Sequence, residues 1–372
     1  MEFSQRLESI PTYEAGKPIE EVMRTFGLKE GDIIKLASNE NPYGTSPRVI
    51  EAIQANAHKA ALYPDDSMYA LKSLLAKRFN ISQEQCIIGS GSDQIIELCL
   101  HAKADPNSVI LTAGTTFAMY AIYAKQVGAT TICTSSSTHN LAEFYESFLA
   151  YKPSIIFLCV PNNPLGECLG RDEVFAFLEK IQKESQGQTL VVLDGAYQEF
   201  ASYKDKSKQI LPSEILERFS NVIYLGTFSK AYGLGGMRVG YGVANQEIIQ
   251  ALYKLRPPFN VTTLSLVAAC AALEDEAFVR QTIEQNFEQM CRYEKFAESN
   301  NIRYIPSFTN FITYVLDVPY QVDKISEALL AQGVIIRSLA SYKMNAMRIT
   351  IGTQAQNTKV LSILERIFCE YA

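Results

Sequence analysis

From residue 109 to 225 the chain alternates between short apolar runs and amphipathic stretches, and this alternation limits the possible folds more than any other feature. Val109-Ile-Leu-Thr, Ala129-Thr-Thr-Ile-Cys133, Ile155-Ile-Phe-Leu-Cys-Val160, Leu190-Val-Val-Leu193 and Val222-Ile-Tyr-Leu225 read as strands. Runs this apolar suit a parallel sheet covered by helices on both faces. Beyond Arg256-Pro257-Pro258 a long helix over 262–300 leads to a second alternating region. It comprises Phe311-Ile-Thr-Tyr-Val315, a helix over 322–332, Val334-Ile-Ile-Arg337 and Met347-Arg348-Ile-Thr-Ile-Gly352. The expected architecture is α/β, with a mostly parallel central sheet flanked by helices and a smaller α+β domain. Residues 1–33 are turn-rich and too short to fold alone. The expected division is an arm over 1–33, a large domain over 34–256 and a small C-terminal domain over 257–372.

In such sheets ligands bind beyond the carboxyl ends of the strands. The most informative end is Thr227-Phe-Ser-Lys230-Ala-Tyr-Gly-Leu-Gly-Gly-Met-Arg238. A lysine held there is a candidate Schiff-base former, because burial and nearby cations free its lone pair. Arg238 offers a two-pronged donor for a phosphate. Cys86-Ile-Ile-Gly-Ser-Gly-Ser92-Asp93-Gln94 is a strand, a Gly/Ser turn and a helix start, whose backbone N–H groups suit an anion. Val160-Pro-Asn-Asn163-Pro and Leu193-Asp194-Gly-Ala-Tyr197 add an amide, a carboxylate and a phenol to neighbouring strand ends. Phe117, before a helix, reads as core packing when taken alone.

The bulk properties exclude several classes. A net charge of −6 and the lack of a basic run argue against nucleic acid and anionic membrane as partners. No apolar stretch reaches the ~18–20 residues that span a bilayer, and the N-terminus lacks a secretory pattern, so the expected location is cytoplasmic. The eight cysteines include no Cys-x-x-Cys pair and read as free thiols. The three histidines show no ligand spacing, so no metal is expected.

Together these segments resemble the fold-type I pyridoxal-phosphate aminotransferases, and more narrowly the histidinol-phosphate aminotransferase family. The likeness runs from Tyr13-Glu-Ala-Gly-Lys-Pro through Leu36-Ala-Ser-Asn-Glu-Asn-Pro to Arg348-Ile-Thr-Ile-Gly352. The resemblance implies a pyridoxal 5'-phosphate cofactor bound covalently by Lys230, which also moves the substrate proton. It implies Asp194 at the pyridine nitrogen, Tyr197 and Asn163 at the ring oxygen, and Phe117 on the ring face. Ser92, Asp93, Gln94, Thr227, Ser229 and Arg238 would hold the phosphate. Tyr63 would reach the phosphate of a neighbouring subunit, making a homodimer. Tyr13, Asn39, Arg337 and Arg348 would bind substrate. The implied reaction belongs to histidine biosynthesis: L-histidinol phosphate and 2-oxoglutarate give imidazole-acetol phosphate and glutamate in a ping-pong transamination. An aromatic amino acid aminotransferase, a decarboxylase of a phosphorylated amino acid and a non-catalytic pyridoxal-fold protein are the alternatives. Three positions depart from the family pattern: Gly195 where relatives often carry an acid, Leu165 where threonine is common, and Phe117 for the frequent tyrosine.

Overall fold

Successive residues of each central strand face opposite sides of a sheet, and both sides are apolar. In Ile155–Cys159 and Leu190–Asp194, Ile156, Leu158, Val191 and Leu193 enter one hydrophobic cluster. Ile155, Phe157, Leu190 and Val192 enter another. Removing each such side chain from water contributes about 2 kcal/mol, so the sheet is stable only with helices on both faces.

The computed structural model describes residues 7–8, 10, 12 and 19–371. Its strands, in chain order, are β1 (Ile34–Lys35), β2 (Cys86–Gly89), β3 (Val109–Thr112), β4 (Thr130–Cys133), β5 (Ile155–Cys159), β6 (Leu190–Asp194), β7 (Val222–Thr227), β8 (Gly240–Val243), β9 (Arg303–Ile305), β10 (Phe311–Val315), β11 (Val334–Ile335), β12 (Arg337–Ser338) and β13 (Ala346–Thr350). The main sheet has seven strands in the order β2-β8-β7-β6-β5-β3-β4. Only β8 runs against the rest, pairing antiparallel with β2 and β7. The order turns back on itself between β3 and β5, the kind of switch point at which α/β sheets bind ligands. Helices Leu141–Tyr151 and Arg171–Glu184 cover one face, and Gly91–Lys103, Met119–Gln126 and Gln246–Tyr253 the other.

A four-stranded antiparallel sheet, β12-β13-β10-β9, forms the second unit, beside the two-stranded parallel pair of β1 and β11. Its core gathers Ile312, Tyr314, Met347 and Ile349 with Ile363 and Leu364 of the helix Gln354–Tyr371. Among the described residues, no helix is long and apolar enough to cross a membrane.

Two expectations are corrected. The single helix over 262–300 is two helices, Thr263–Glu274 and Glu276–Ser299. Asp275 separates them: its carboxylate accepts from the Phe278 amide as the cap of the second helix and from Ser46 Oγ. The strand expected over 334–337 is divided, with Val334–Ile335 pairing with β1 and Arg337–Ser338 with β13. The helix Glu276–Ser299 contributes to two hydrophobic clusters. Val279 and Ile283 pack with the main sheet, and Met290 and Tyr293 with the smaller one. Ile34 and Leu36 of the early chain join that smaller core.

Candidate active site

The chain emerging from β7 turns immediately, and that turn presents Lys230. The turn is held by Phe228 N–H to Val239 carbonyl and Leu234 N–H to Phe228 carbonyl. A cavity of about 420 Å³ lies against Lys230, lined also by Asp194, Tyr197, Asn163, Phe117 and Arg238. A smaller one, about 160 Å³, adjoins it and is lined by Asn39, Arg337, Tyr342 and Arg348. Ser38, Phe117, Asn163, Tyr197 and Lys230 border both chambers, so the lysine stands at their junction.

Electrostatics favour a reactive amine. Burial, and then the positive charge of Arg348, push the Lys230 ammonium down to about 8. Its Nζ donates to the Ser38 carbonyl at 3.3 Å. Asp194, at the end of β6, is buried, and desolvation raises its carboxyl above the usual carboxylate range. Tyr120 Oη opposes that shift by donating to Asp194 Oδ2 at 2.7 Å, and the Ala196 amide donates to Oδ1 at 3.1 Å. A buried acid with two donors is a fixed acceptor for a cationic N–H inside the chamber.

The larger chamber ends in an anion cradle. The helix Gly91–Lys103 begins there, with Ser92 and Asp93 on the wall. The guanidinium of Arg238 lies over that helix start: a Cβ on Gly91 would stand 2.5 Å from its Nη2. Only glycine, here at φ +78°, leaves room. Arg238 Nη1 donates to Ser229 Oγ at 3.4 Å, and Thr227 Oγ1 to the same oxygen at 3.1 Å. Asp93 accepts from Tyr123 Oη at 2.6 Å, while its buried Oδ1 has no hydrogen-bond partner among the described residues. A phosphorylated heteroaromatic ring with a protonated nitrogen fits this donor set: cationic and hydroxyl donors at one end, a carboxylate at the other, and an aromatic wall from Phe117.

The smaller chamber joins the two sheets. Arg348 on β13 donates from Nη1 to Asn163 Oδ1 and from Nη2 to the Ala37 carbonyl, both at 2.6 Å. Asn39 donates to Tyr197 Oη at 2.8 Å and accepts from Thr350 Oγ1 at 3.0 Å.

Most of the sequence-derived candidates therefore line one cavity system. Gln94 does not: its Oε1 accepts from the Ser90 amide and from Asn260 Nδ2, and the side chain braces the turn. Tyr63 is 82% exposed and stacks on Phe259 with centroids 4.7 Å apart, so within one chain it reaches neither chamber. Tyr13 lies outside the described residues. Sequence reasoning missed Tyr120, Tyr123 and Ser38. The first two are ring residues inside a helical pattern, and Ser38 contributes through its backbone carbonyl. All eight cysteines are free, with Cys86, Cys99 and Cys159 buried.

The family model for aminotransferase class I and II matches residues 31–364, and the chain belongs to that family. A histidinol-phosphate aminotransferase from Campylobacter concisus is 58% identical over 369 residues, covering 99% of this chain and all of the relative. Another, from Aliarcobacter butzleri, is 56% identical over 367 residues and 99% of each chain. Within the class, the chain is thus a member of the histidinol-phosphate aminotransferase family. The crystal structure of histidinol-phosphate aminotransferase from Sinorhizobium meliloti, in complex with pyridoxal-5'-phosphate, has the same fold. Its TM-score is 0.88 at 24% identity, covering all of this chain and 98% of that one.

Proposed function

We propose that the protein transfers the amino group of L-histidinol phosphate to 2-oxoglutarate on pyridoxal 5'-phosphate, giving imidazole-acetol phosphate and glutamate in ping-pong fashion. The observation that carries this reading is the position of Lys230, between an anion cradle facing Asp194 and a chamber bearing two arginines. Full-length identity to histidinol-phosphate aminotransferases supports the substrate.

The cofactor, when bound, supplies an electron sink conjugated to the substrate α-carbon. Lys230 Nζ would hold it covalently, and the same amine, when free, would take and return the α-proton. Its lowered pKa, about 8, keeps a useful fraction of the amine unprotonated near neutral pH. Asp194 would accept a hydrogen bond from the ring N–H and hold that proton in place. Tyr197 and Asn163 would serve the ring oxygen, and Phe117 a ring face. Ser92, Asp93, Gln94, Thr227, Ser229 and Arg238 would hold the phosphate, with the Gln94 side chain bracing the turn.

Arg348 and Arg337 bind the substrate anion, with Asn39 and Tyr13. The two guanidiniums serve a phosphate ester in one half-reaction and a dicarboxylate in the other. We further infer a cytoplasmic homodimer, with the smaller unit from about residue 257 a domain in its own right. Leu62, Tyr63 and Phe259 are exposed apolar residues with no covering segment among the described residues, which supports a partner subunit at this edge.

The test is the visible absorption spectrum of the cofactor-loaded protein, titrated separately with L-histidinol phosphate, phenylalanine and glutamate. Histidinol phosphate should bleach the lysine-bound band at far lower concentration than phenylalanine, and glutamate should bleach it too. A stronger response to phenylalanine would reassign the substrate, and no response to any donor would refute transamination.

A further inference from the structure

A third cavity, of about 480 Å³, opens away from both chambers and shares no lining residue with either. It lies among the helix Tyr69–Phe79, the helix Gln198–Lys204 and the start of the helix Glu276–Ser299. Three buried tyrosines, Tyr224, Tyr232 and Tyr241, contribute to its wall. Two of them occupy space that glycines leave open. A Cβ on Gly195 would stand 2.6 Å from Tyr224 Oη, and one on Gly226 would overlap the Tyr241 ring. With no side chain at Gly195, the Tyr224 ring has room to form this part of the wall.

Glu199, in the first turn of the helix Gln198–Lys204, and Glu276 are the acids on this wall. Glu199 Oε2 is buried with no hydrogen-bond partner among the described residues, and burial pushes its carboxyl up to about 7. Arg78 acts on Glu199 electrostatically but is committed to Glu276 Oε1 at 3.0 Å. A buried carboxylate oxygen without a donor is costly unless something supplies one. Arg280 and Lys206 bring positive charge to the same cavity from other elements.

We propose that this cavity is a second ligand site, which takes a small α-amino acid with its ammonium group on Glu199 and the tyrosine faces and its carboxylate on Arg280 and Lys206. An ammonium group in the cavity is attracted to the negative charge of Glu199 and to the tyrosine rings. A simple anion meets Glu199 and Glu276 as repelling neighbours. A bare metal ion leaves most of the volume and the aromatic wall unused. The site does not depend on the transaminase reading. Val279 and Ile283, on its wall, belong to the helix that enters both cores.

The probe is 2-aminoisobutyrate, an α-amino acid with no α-hydrogen to lose, titrated calorimetrically into the cofactor-loaded protein. Arg348→Ala serves to weaken binding in the catalytic chamber. The expected result is binding that persists in Arg348→Ala and weakens at least tenfold in Glu199→Gln. The exposed Arg280→Ala, which leaves the core untouched, should also weaken it. Unchanged affinity in Glu199→Gln and Arg280→Ala, loss of binding in Arg348→Ala, absence of binding to the parent protein, or preference for inorganic phosphate would each overturn the proposal. Turnover of histidinol phosphate, measured in parallel, reports separately on the catalytic reading.

Discussion

Tyr120 Oη donates to Asp194 Oδ2 at 2.7 Å, and the Tyr120 ring stacks on Phe157 with centroids 4.5 Å apart. The carboxylate that faces the chamber is thus held by a residue of the helix Met119–Gln126, which itself packs into the sheet.

Removing that hydroxyl tests the hold. Tyr120→Phe keeps the ring and its stacking but deprives a buried carboxylate of its side-chain donor, whose effect is to lower the Asp194 pKa. Hydrogen bonds to charged groups are worth about 1.5–3 kcal/mol. Cofactor affinity should therefore fall roughly tenfold to a hundredfold, read as the cofactor dissociation constant of the variant.

Lys230→Ala should abolish both turnover and the covalent cofactor linkage, leaving at most a dissociable complex. The checks are the visible spectrum and the mass of borohydride-reduced protein. An active variant carrying a covalent adduct would refute the assignment.

The lysine also sets a pH dependence. Its amine is nucleophilic only when neutral, and its pKa is lowered to about 8, first by burial and then by Arg348. Covalent capture of added cofactor by the apoprotein should accelerate with pH and level off above about 8, rather than near an ordinary lysine's 10.5. Arg348→Ala should move that midpoint upward, as stopped-flow absorbance would show.

Glu199 makes a separate stability prediction. Its folded-state pKa, about 7, is above the ordinary 4.5, so between those values the folded chain binds more protons than the unfolded one. Stability attributable to this group therefore falls as pH rises through that window. Arg78, Tyr224, Tyr232 and Tyr241 face the same cavity and carry no compensating proton change there. Glu199→Gln should remove on the order of 1–3 kcal/mol of that decline, seen as a flatter melting temperature between pH 4.5 and about pH 7, the window the shift defines.

The exposed edge predicts assembly. Tyr63→Asp places a charge among Leu62, Phe259 and their surroundings, where a partner subunit is proposed. Sedimentation should show a dimer for the parent chain and dissociation at micromolar concentration for the variant. A monomeric parent would refute the partner.

Much of the candidate site could be read before any coordinates, because its residues fall at strand ends. Lys230, Asp194, Asn163 and Arg238 interrupt apolar runs with polar groups that packing does not require. Tyr120 and Tyr123 were hidden for the opposite reason: inside a helix, a ring that packs and a hydroxyl that donates look the same. Gln94 lies at the expected helix start, with its side chain turned back to the Ser90 amide and Asn260, a direction that sequence alone does not give. The two-helix break at Asp275 was masked because helical periodicity runs on through both segments. The divided strand at 334–338 depended on partners far away in the chain, at Ile34 and Arg348.

The helix Glu276–Ser299 is a single rod embedded at one end in the main sheet's core and at the other in the smaller core. Lys230 belongs to the first body and Arg348 to the second. Arg348 nevertheless reaches back across the seam to Asn163, which follows β5 of the first body. The rod and this one bond therefore tie the same two bodies together at separate points, and the chamber between amine and guanidinium is held from both sides.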